Sequence, residues 1–81
     1  MTSANSAVIA RIVGALTTRF ADIKPAEARA AIRRMDDFSV GVLYGMACIA
    51  EESAASNMPP TWRSCLAACL LATYRAIAGP K

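Results

Sequence analysis

Residues 36–80 read DDFSVGVLYGMACIAEESAASNMPPTWRSCLAACLLATYRAIAGP. Two long segments of helix-forming residues flank SNMPP, a short run that breaks the helical pattern. Helices of similar length that are joined by so short a loop pack against each other in antiparallel fashion. The stretch therefore predicts a helical hairpin over about 37–55 and 60–78, and it places the fold in the all-α class.

The ends of both predicted helices carry recognisable punctuation. Asp36 or Asp37 can cap the first helix, because a short carboxylate accepts hydrogen bonds from the free N–H groups of a first turn. Pro60 suits the first turn of the second helix, where its missing N–H costs nothing. Gly79 followed by Pro80 is a strong stop signal. These residues fix where we expect the hairpin to begin and end.

Apolar residues in the hairpin recur every three or four positions, so each helix is expected to turn one stripe toward a core. The predicted stripes are Phe38, Val42, Leu43, Met46, Ile49 and Ala50 on the first helix, and Trp62, Leu66, Cys69, Leu70, Thr73 and Ile77 on the second. Trp62 has two interpretations. It either closes the end of the hairpin over the core, which we favour, or anchors a partner, as tryptophan often does at interfaces.

Two shorter helices are predicted before the hairpin. The first begins near Asn5 or Ser6 and ends between residues 21 and 23, because a proline at position 25 disfavours helical geometry just before it. Its apolar stripe is Ile9, Ile12, Val13, Leu16 and Phe20. The second covers residues 25–35 and has a narrow buried face of Ala28, Ala31, Ile32 and Met35. The predicted fold is a small four-helix, or three-plus-one-helix, bundle in one domain, residues 1–81, with helix one across the hairpin.

Gly41 and Gly45 stand inside the third predicted helix at a cost of roughly 1 kcal/mol each relative to alanine. Four residues apart, they open one helix face to close approach by another backbone. We favour packing within the domain as the reason, and a dimer or partner contact is the alternative. The three cysteines, Cys48, Cys65 and Cys69, lie in apolar helical sequence and are expected to be buried and reduced.

The chain contains more apolar residues than a domain of its size can readily bury. It has 81 residues, 56% of them hydrophobic, and a small domain leaves a large share of its surface exposed. The excess of apolar surface is smaller than this percentage suggests, because 18 of the residues are alanines and each adds little apolar area. A homodimer or a broad surface for another protein would resolve the conflict. The leading prediction is a small protein-binding regulator or inhibitor that occludes a partner surface.

Basic residues are concentrated in the first half of the chain. The formal net charge is +3, made up of +4 in residues 1–34 and −1 in residues 35–81. We therefore expect an apolar helical face with a basic border, which would meet an acidic protein surface. The residues predicted to contact the partner are Lys24, Arg29, Arg33, Arg34, Tyr44 and Trp62. A solvated face of a short helix would also explain the basic cluster among them.

The alternative function is a nucleic-acid-binding transcriptional regulator that uses the basic helix 25–35. Arg29 and Arg33 lie one turn apart there and could contact phosphates. The following helix begins with Asp36 and Asp37, however, and two carboxylates at that end would repel a phosphate backbone. Nucleic acid is therefore the less favoured partner.

Catalysis has little support in the sequence. There is no histidine, the most common general acid or base near neutral pH. The acidic residues come as adjacent pairs, which diverge on a helix by about 100° and do not converge on a substrate. The glycines stand apart, so no phosphate-binding loop is present. We predict that the protein is not an enzyme and that it binds no metal and no cofactor.

The remaining expectations concern location. The uncharged stretches are far shorter than the roughly 20 apolar residues of a membrane-spanning helix. The N-terminal segment lacks the basic start of a secretory signal, so a cytoplasmic protein is expected. The preference for arginine over lysine, together with abundant alanine, indicates a GC-rich genome. It favours an origin in a bacterium or its phage.

Overall fold

A computed structural model describes residues 6–79, and it shows four helices and no strand in that range. The helices are α1 (Ser6–Arg19), α2 (Pro25–Arg33), α3 (Asp37–Ala55) and α4 (Pro60–Ala78). α3 packs extensively against α4 on one side and α1 on the other, and α2 packs against α1. The all-α prediction and the predicted hairpin are thus confirmed. None of these helices is long and apolar enough to span a membrane.

The ends of α3 and α4 follow the predicted punctuation. Asp36 caps α3, because its carboxylate accepts a hydrogen bond of 3.1 Å from the Ser39 N–H, and this contact with Ser39 lowers the pKa of Asp36. α4 begins at Pro60, as expected for a residue that needs no N–H partner. Gly79 ends it with a φ of 91°, a region that favours glycine. Pro80 lies outside the described residues, as does Asn5, one of the two predicted starting points of α1.

The first two helices are shorter than predicted. α1 ends at Arg19, and the Arg19 guanidinium donates hydrogen bonds of 3.0 Å to the Ala15 carbonyl and 3.2 Å to the Ala50 carbonyl. These bonds cap one helix and tie it to α3. α2 ends at Arg33, two residues early. The chain must leave helical geometry there, since Asp36 is extended, with a ψ of 168°, in order to cap α3.

The core is built mainly where α1 meets α3. The buried apolar residues are Ile9, Ile12, Val13, Ala15, Leu16, Ala28, Ile32, Val40, Leu43, Ala47, Ala50 and Leu70. All of the predicted α1 stripe belongs to this set except Phe20, which is half-buried against it. On α2, Ala28 and Ile32 are buried, whereas Ala31 and Met35 are only half-buried. α4 contributes one fully buried side chain, Leu70, although the helix has 19 residues.

The predicted stripes of the hairpin are confirmed at Leu43, Ala50 and Leu70, which are buried, and wrong at four exposed residues, Phe38, Ile49, Trp62 and Cys69. Phe38 is 78% exposed, Ile49 is 51% exposed and Trp62 is 64% exposed, so Trp62 does not close the hairpin over the core. The error arises because α3 is apolar almost all round, and periodicity alone cannot choose its inward face. Ala47, which is not in the predicted stripe, is buried together with Leu43 and Ala50. Phe38 and Ile49 are left on the exposed side of the helix.

Two further predictions about α3 and α4 are wrong. Cys65 and Cys69 are exposed and Cys48 is half-buried, although all three are free thiols, so none is the fully buried residue expected from the sequence. Gly41 and Gly45 do not serve packing within the domain. Among residues 6–79, a Cβ atom built on either glycine meets no atom within 4 Å, and both residues are exposed. The helix therefore carries two destabilising glycines that the isolated chain does not use.

Candidate interaction surface

One side of α4 is an apolar surface that faces solvent. Its exposed residues, which we call the α4 surface, are Trp62, Cys65, Ala68, Cys69, Ala72 and Ala76. A helix that packs on a single neighbour normally turns polar residues outward. The α4 surface instead has small apolar side chains and a tryptophan, with charged residues only at its borders. Such a surface is typical of a helix that packs on a second partner.

Next to the α4 surface runs an open groove between the end of α1 and α4, with a volume of about 680 Å³. The residues that line this arginine groove are Arg19, Phe20, Arg63, Ser64, Ala67, Ala68, Leu71, Ala72 and Arg75. Ala67 and Leu71 belong to one row of α4 at i, i+4 spacing, with Arg63 and Arg75 at its two ends. Over 12 residues of helix, these arginines are about 18 Å apart along the axis. The α4 side of the groove is thus apolar in the middle and basic at both ends, and Arg19 of α1 adds a third arginine to the lining.

The three arginines of the groove differ in how they are held. Arg19 is anchored by its bonds to the carbonyls of Ala15 and Ala50, so its position is set by the fold. Arg75 contacts Asp22 at 3.4 Å, in a pair with both side chains largely exposed, and such pairs contribute little to stability. The guanidinium of Arg63 forms no hydrogen bond or ion pair with any residue from 6 to 79. The groove can therefore offer positive charge to an acidic ligand.

α3 has the opposite charge. It contains Asp37, Glu51 and Glu52 and no basic residue. Glu51 is paired with Arg11 of α1 through a contact of 2.9 Å, while the other two carboxylates form no ion pair within residues 6–79. The exposed side of this helix, which we call the outer face of α3, consists of Asp37, Phe38, Gly41, Gly45, Ile49 and Glu52. It is acidic at both ends and apolar between them.

The predicted contact residues of the basic helix are all exposed, but only two of them share a hollow. Lys24 and Arg34 line a depression of about 440 Å³ together with Glu27 and Tyr74. Burial raises the pKa of Tyr74, Glu27 adds to this shift and Arg34 opposes it. Arg29 and Arg33 are also exposed and do not line that hollow. Because acidic and basic groups mix in the depression, it has no strong preference for an anion.

The two predicted aromatic contacts lie on different helices. Tyr44, 36% exposed, is near Arg11 on the side of α3 that faces α1. There, electrostatic interactions with Cys48 and Glu51 raise the pKa of Arg11. Trp62 lies on the α4 surface. Neither aromatic residue lines the hollow that Lys24 and Arg34 share, so the predicted set does not form one continuous site.

Sequence reasoning missed the groove arginines. Arg63 and Arg75 are separated by three steps of four residues, which places them on one row of an apolar helix, and this spacing is visible in the sequence. Arg19 has no such signal, because it meets α4 only through the packing of α1. The basic residues of α2 are close together in sequence, so the charge pattern points to that helix first.

Within residues 6–79, no group of three or more His, Cys, Asp or Glu side chains could hold a metal ion. A scan against models of known protein families finds no match, and searches of curated proteins and of solved structures find none either. The surfaces described above therefore carry the functional argument.

Proposed function

We propose that the protein is a small non-catalytic regulator or inhibitor that binds another protein and occludes part of its surface. The α4 surface would dock on the partner, and Arg63 and Arg75 would form the basic border. The observation that carries this proposal is the exposure of α4, an apolar helix of 19 residues with one fully buried side chain. Burial of this apolar surface against a partner would contribute a favourable free energy of roughly 25 cal/mol per Å².

Features of the α4 surface support protein as the ligand. Trp62 supplies a large apolar ring at 64% exposure, and tryptophan and arginine are the residues most enriched among binding hot spots. The alanines allow a partner backbone to approach closely, and the arginines can pair with carboxylates on the partner. We further propose that the protein acts in the cytoplasm of a bacterium, where a chromosomal or phage gene would encode it.

Affinity capture from the source cell tests this proposal when three baits are compared. The baits are the wild-type chain, the variant Trp62→Glu/Ala68→Glu, and the control Thr18→Glu, which adds charge at an exposed position of α1. A partner should be enriched by the wild type and the control and lost with the double variant. The purified partner should then lose its normal ligand when the wild-type chain is added. Equal capture by all three baits would contradict the proposal.

Nucleic-acid binding is a second candidate because the basic helix is free of intramolecular ion pairs. Lys24, Arg29, Arg33 and Arg34 are exposed, and none forms an ion pair within residues 6–79. Four cations on one short segment could contact phosphates without first breaking a salt bridge.

A salt titration with a mixed-sequence DNA duplex distinguishes this candidate from protein binding. If the basic helix binds DNA, the affinity should fall steeply with salt, and Arg29→Glu/Arg33→Glu should abolish it. The same variant should leave capture of a protein partner unchanged if only the α4 surface is used. Absence of salt-dependent DNA binding by the wild type would eliminate the alternative.

A further inference from the structure

Two features of the structure are unexplained by the isolated chain and complement each other. The arginine groove is an open apolar channel with positive charge at both ends. The outer face of α3 is an apolar helix face with carboxylates at both ends, and it has no partner among residues 6–79. We propose that the arginine groove of one copy binds the outer face of α3 of a second copy, so that the protein self-associates head to tail. The groove shares Arg63, Arg75, Ala68 and Ala72 with the surface that would dock on a partner protein, so the two contacts compete for the same residues.

The charges of the two surfaces match in sign and in spacing. Asp37 and Glu52 lie 15 residues apart, which is about 22 Å along the axis of α3. Arg63 and Arg75 span about 18 Å on α4, and their long flexible side chains can cover the difference. The carboxylate at each end of the docked α3 thus lies near a guanidinium group of the groove. Carboxylate and guanidinium form strong charge-assisted hydrogen bonds.

The shape of the outer face of α3 also suits the groove. Gly41 and Gly45 carry no side chains, so the middle of the docked helix can approach the floor formed by Ala68 and Ala72. Phe38 is 78% exposed, and burial in the groove would remove its ring from water. This contact gives the two glycines a role that packing within one chain does not provide.

Charge argues against the other way of filling the groove with a second copy. If two α4 helices packed antiparallel across the groove, Arg63 of one copy would lie near Arg75 of the other. α4 contains no acidic residue that could neutralise these arginines. Like charges at a dry interface oppose association. Because the two proposed surfaces differ, each contact is heterologous, and repeated contacts form a closed ring or an open chain.

Sedimentation equilibrium of the full chain, together with a charge exchange, tests the proposal. The average mass of the wild type should rise over about two decades of concentration. At a fixed protein concentration, the average mass should fall as salt is raised from about 0.1 to 1 M, because salt screens the ion pairs. Arg63→Glu/Arg75→Glu and Asp37→Lys/Glu52→Lys should each weaken association by at least about tenfold. An equimolar mixture of the two variants should associate again, because each acidic surface then meets a basic one.

A second pair of variants separates the interface from folding. Gly41→Gln/Gly45→Gln places long side chains on the outer face of α3, so it should abolish association while raising the melting temperature of the dilute monomer. The control Gly14→Ala should raise the melting temperature and leave association intact, since Gly14 is on α1 with open space around it. A wild-type chain that stays monomeric at every concentration, or a mixture that fails to restore association, would overturn the proposal.

Discussion

Replacing Gly41 and Gly45 by alanine should stabilise the folded monomer. Glycine in a helix interior costs about 0.8–1.0 kcal/mol relative to alanine, mainly through the greater freedom of the unfolded chain. The structure leaves room for the new methyl groups, because a Cβ at either position meets nothing within 4 Å. The two sites are therefore expected to contribute their full helix propensity, about 2 kcal/mol together.

Thermal and urea unfolding monitored by circular dichroism measure this effect. For a domain of this size, 1 kcal/mol corresponds to a shift of about 4–8 °C in melting temperature, so the double variant should melt roughly 10 °C higher. The experiment requires dilute protein, since self-association through the outer face of α3 would otherwise stabilise the wild type as well. The single variants should each give about half the gain.

The result that would refute this reasoning is a loss of stability in both single variants. Such a loss would mean that another part of the chain packs closely on Gly41 and Gly45 in solution. The outer face of α3 would then be covered within the monomer, and the proposed self-association would lose one of its two surfaces.

Three other predictions follow from the described contacts. Asp36→Ala should lower the free energy of unfolding at neutral pH, and the wild type should lose the same contribution in acid. The folded-state pKa of Asp36 is depressed, so its contribution is complete above the ordinary value of 3.8 and falls as pH drops through the folded value. Leu70→Ala should cost about 2–5 kcal/mol in urea unfolding, since the residue is fully buried; a cost below 1 kcal/mol would show that α4 is loosely attached. A thiol reagent should modify Cys65 and Cys69 in the native protein faster than Cys48, and protection of all three would contradict their exposure.

The ends of the two hairpin helices can be predicted from the sequence because they depend on residues close by in the chain. Asp36, Pro60 and Gly79 act through backbone groups only a few residues away. The predicted ends of α1 and α2 lie beyond the ends in the structure, and the difference has a physical reason. α1 ends where Arg19 reaches a carbonyl of α3, and this contact depends on tertiary packing.

The inward face of α3 could not be predicted from periodicity. Phe38 and Ile49 are apolar, and so are the residues that are actually buried, so a hydrophobic pattern supports more than one orientation. Tertiary packing decides between them, and it buries Val40, Leu43, Ala47 and Ala50. The choice leaves Phe38 and Ile49 exposed, and that outcome creates the outer face of α3.

Part of the candidate surface was accessible from the sequence. Trp62 was identified as a contact candidate, and it lies on the α4 surface at 64% exposure. The basic border was sought on α2, whereas the groove takes its arginines from α1 and α4. A groove between two helices depends on their relative positions, which neither helix encodes alone.

Site-specific photo-cross-linking in the source cell tests the central claim most directly. A photoreactive phenylalanine analogue is introduced at Trp62 on the α4 surface, with Thr18 on the exposed side of α1 as the matched control position. We expect irradiation to join the chain to another protein from Trp62 and not from Thr18, with mass spectrometry separating this adduct from a second copy of the chain. No adduct with another protein at Trp62, or the same adducts from both positions, would contradict the account.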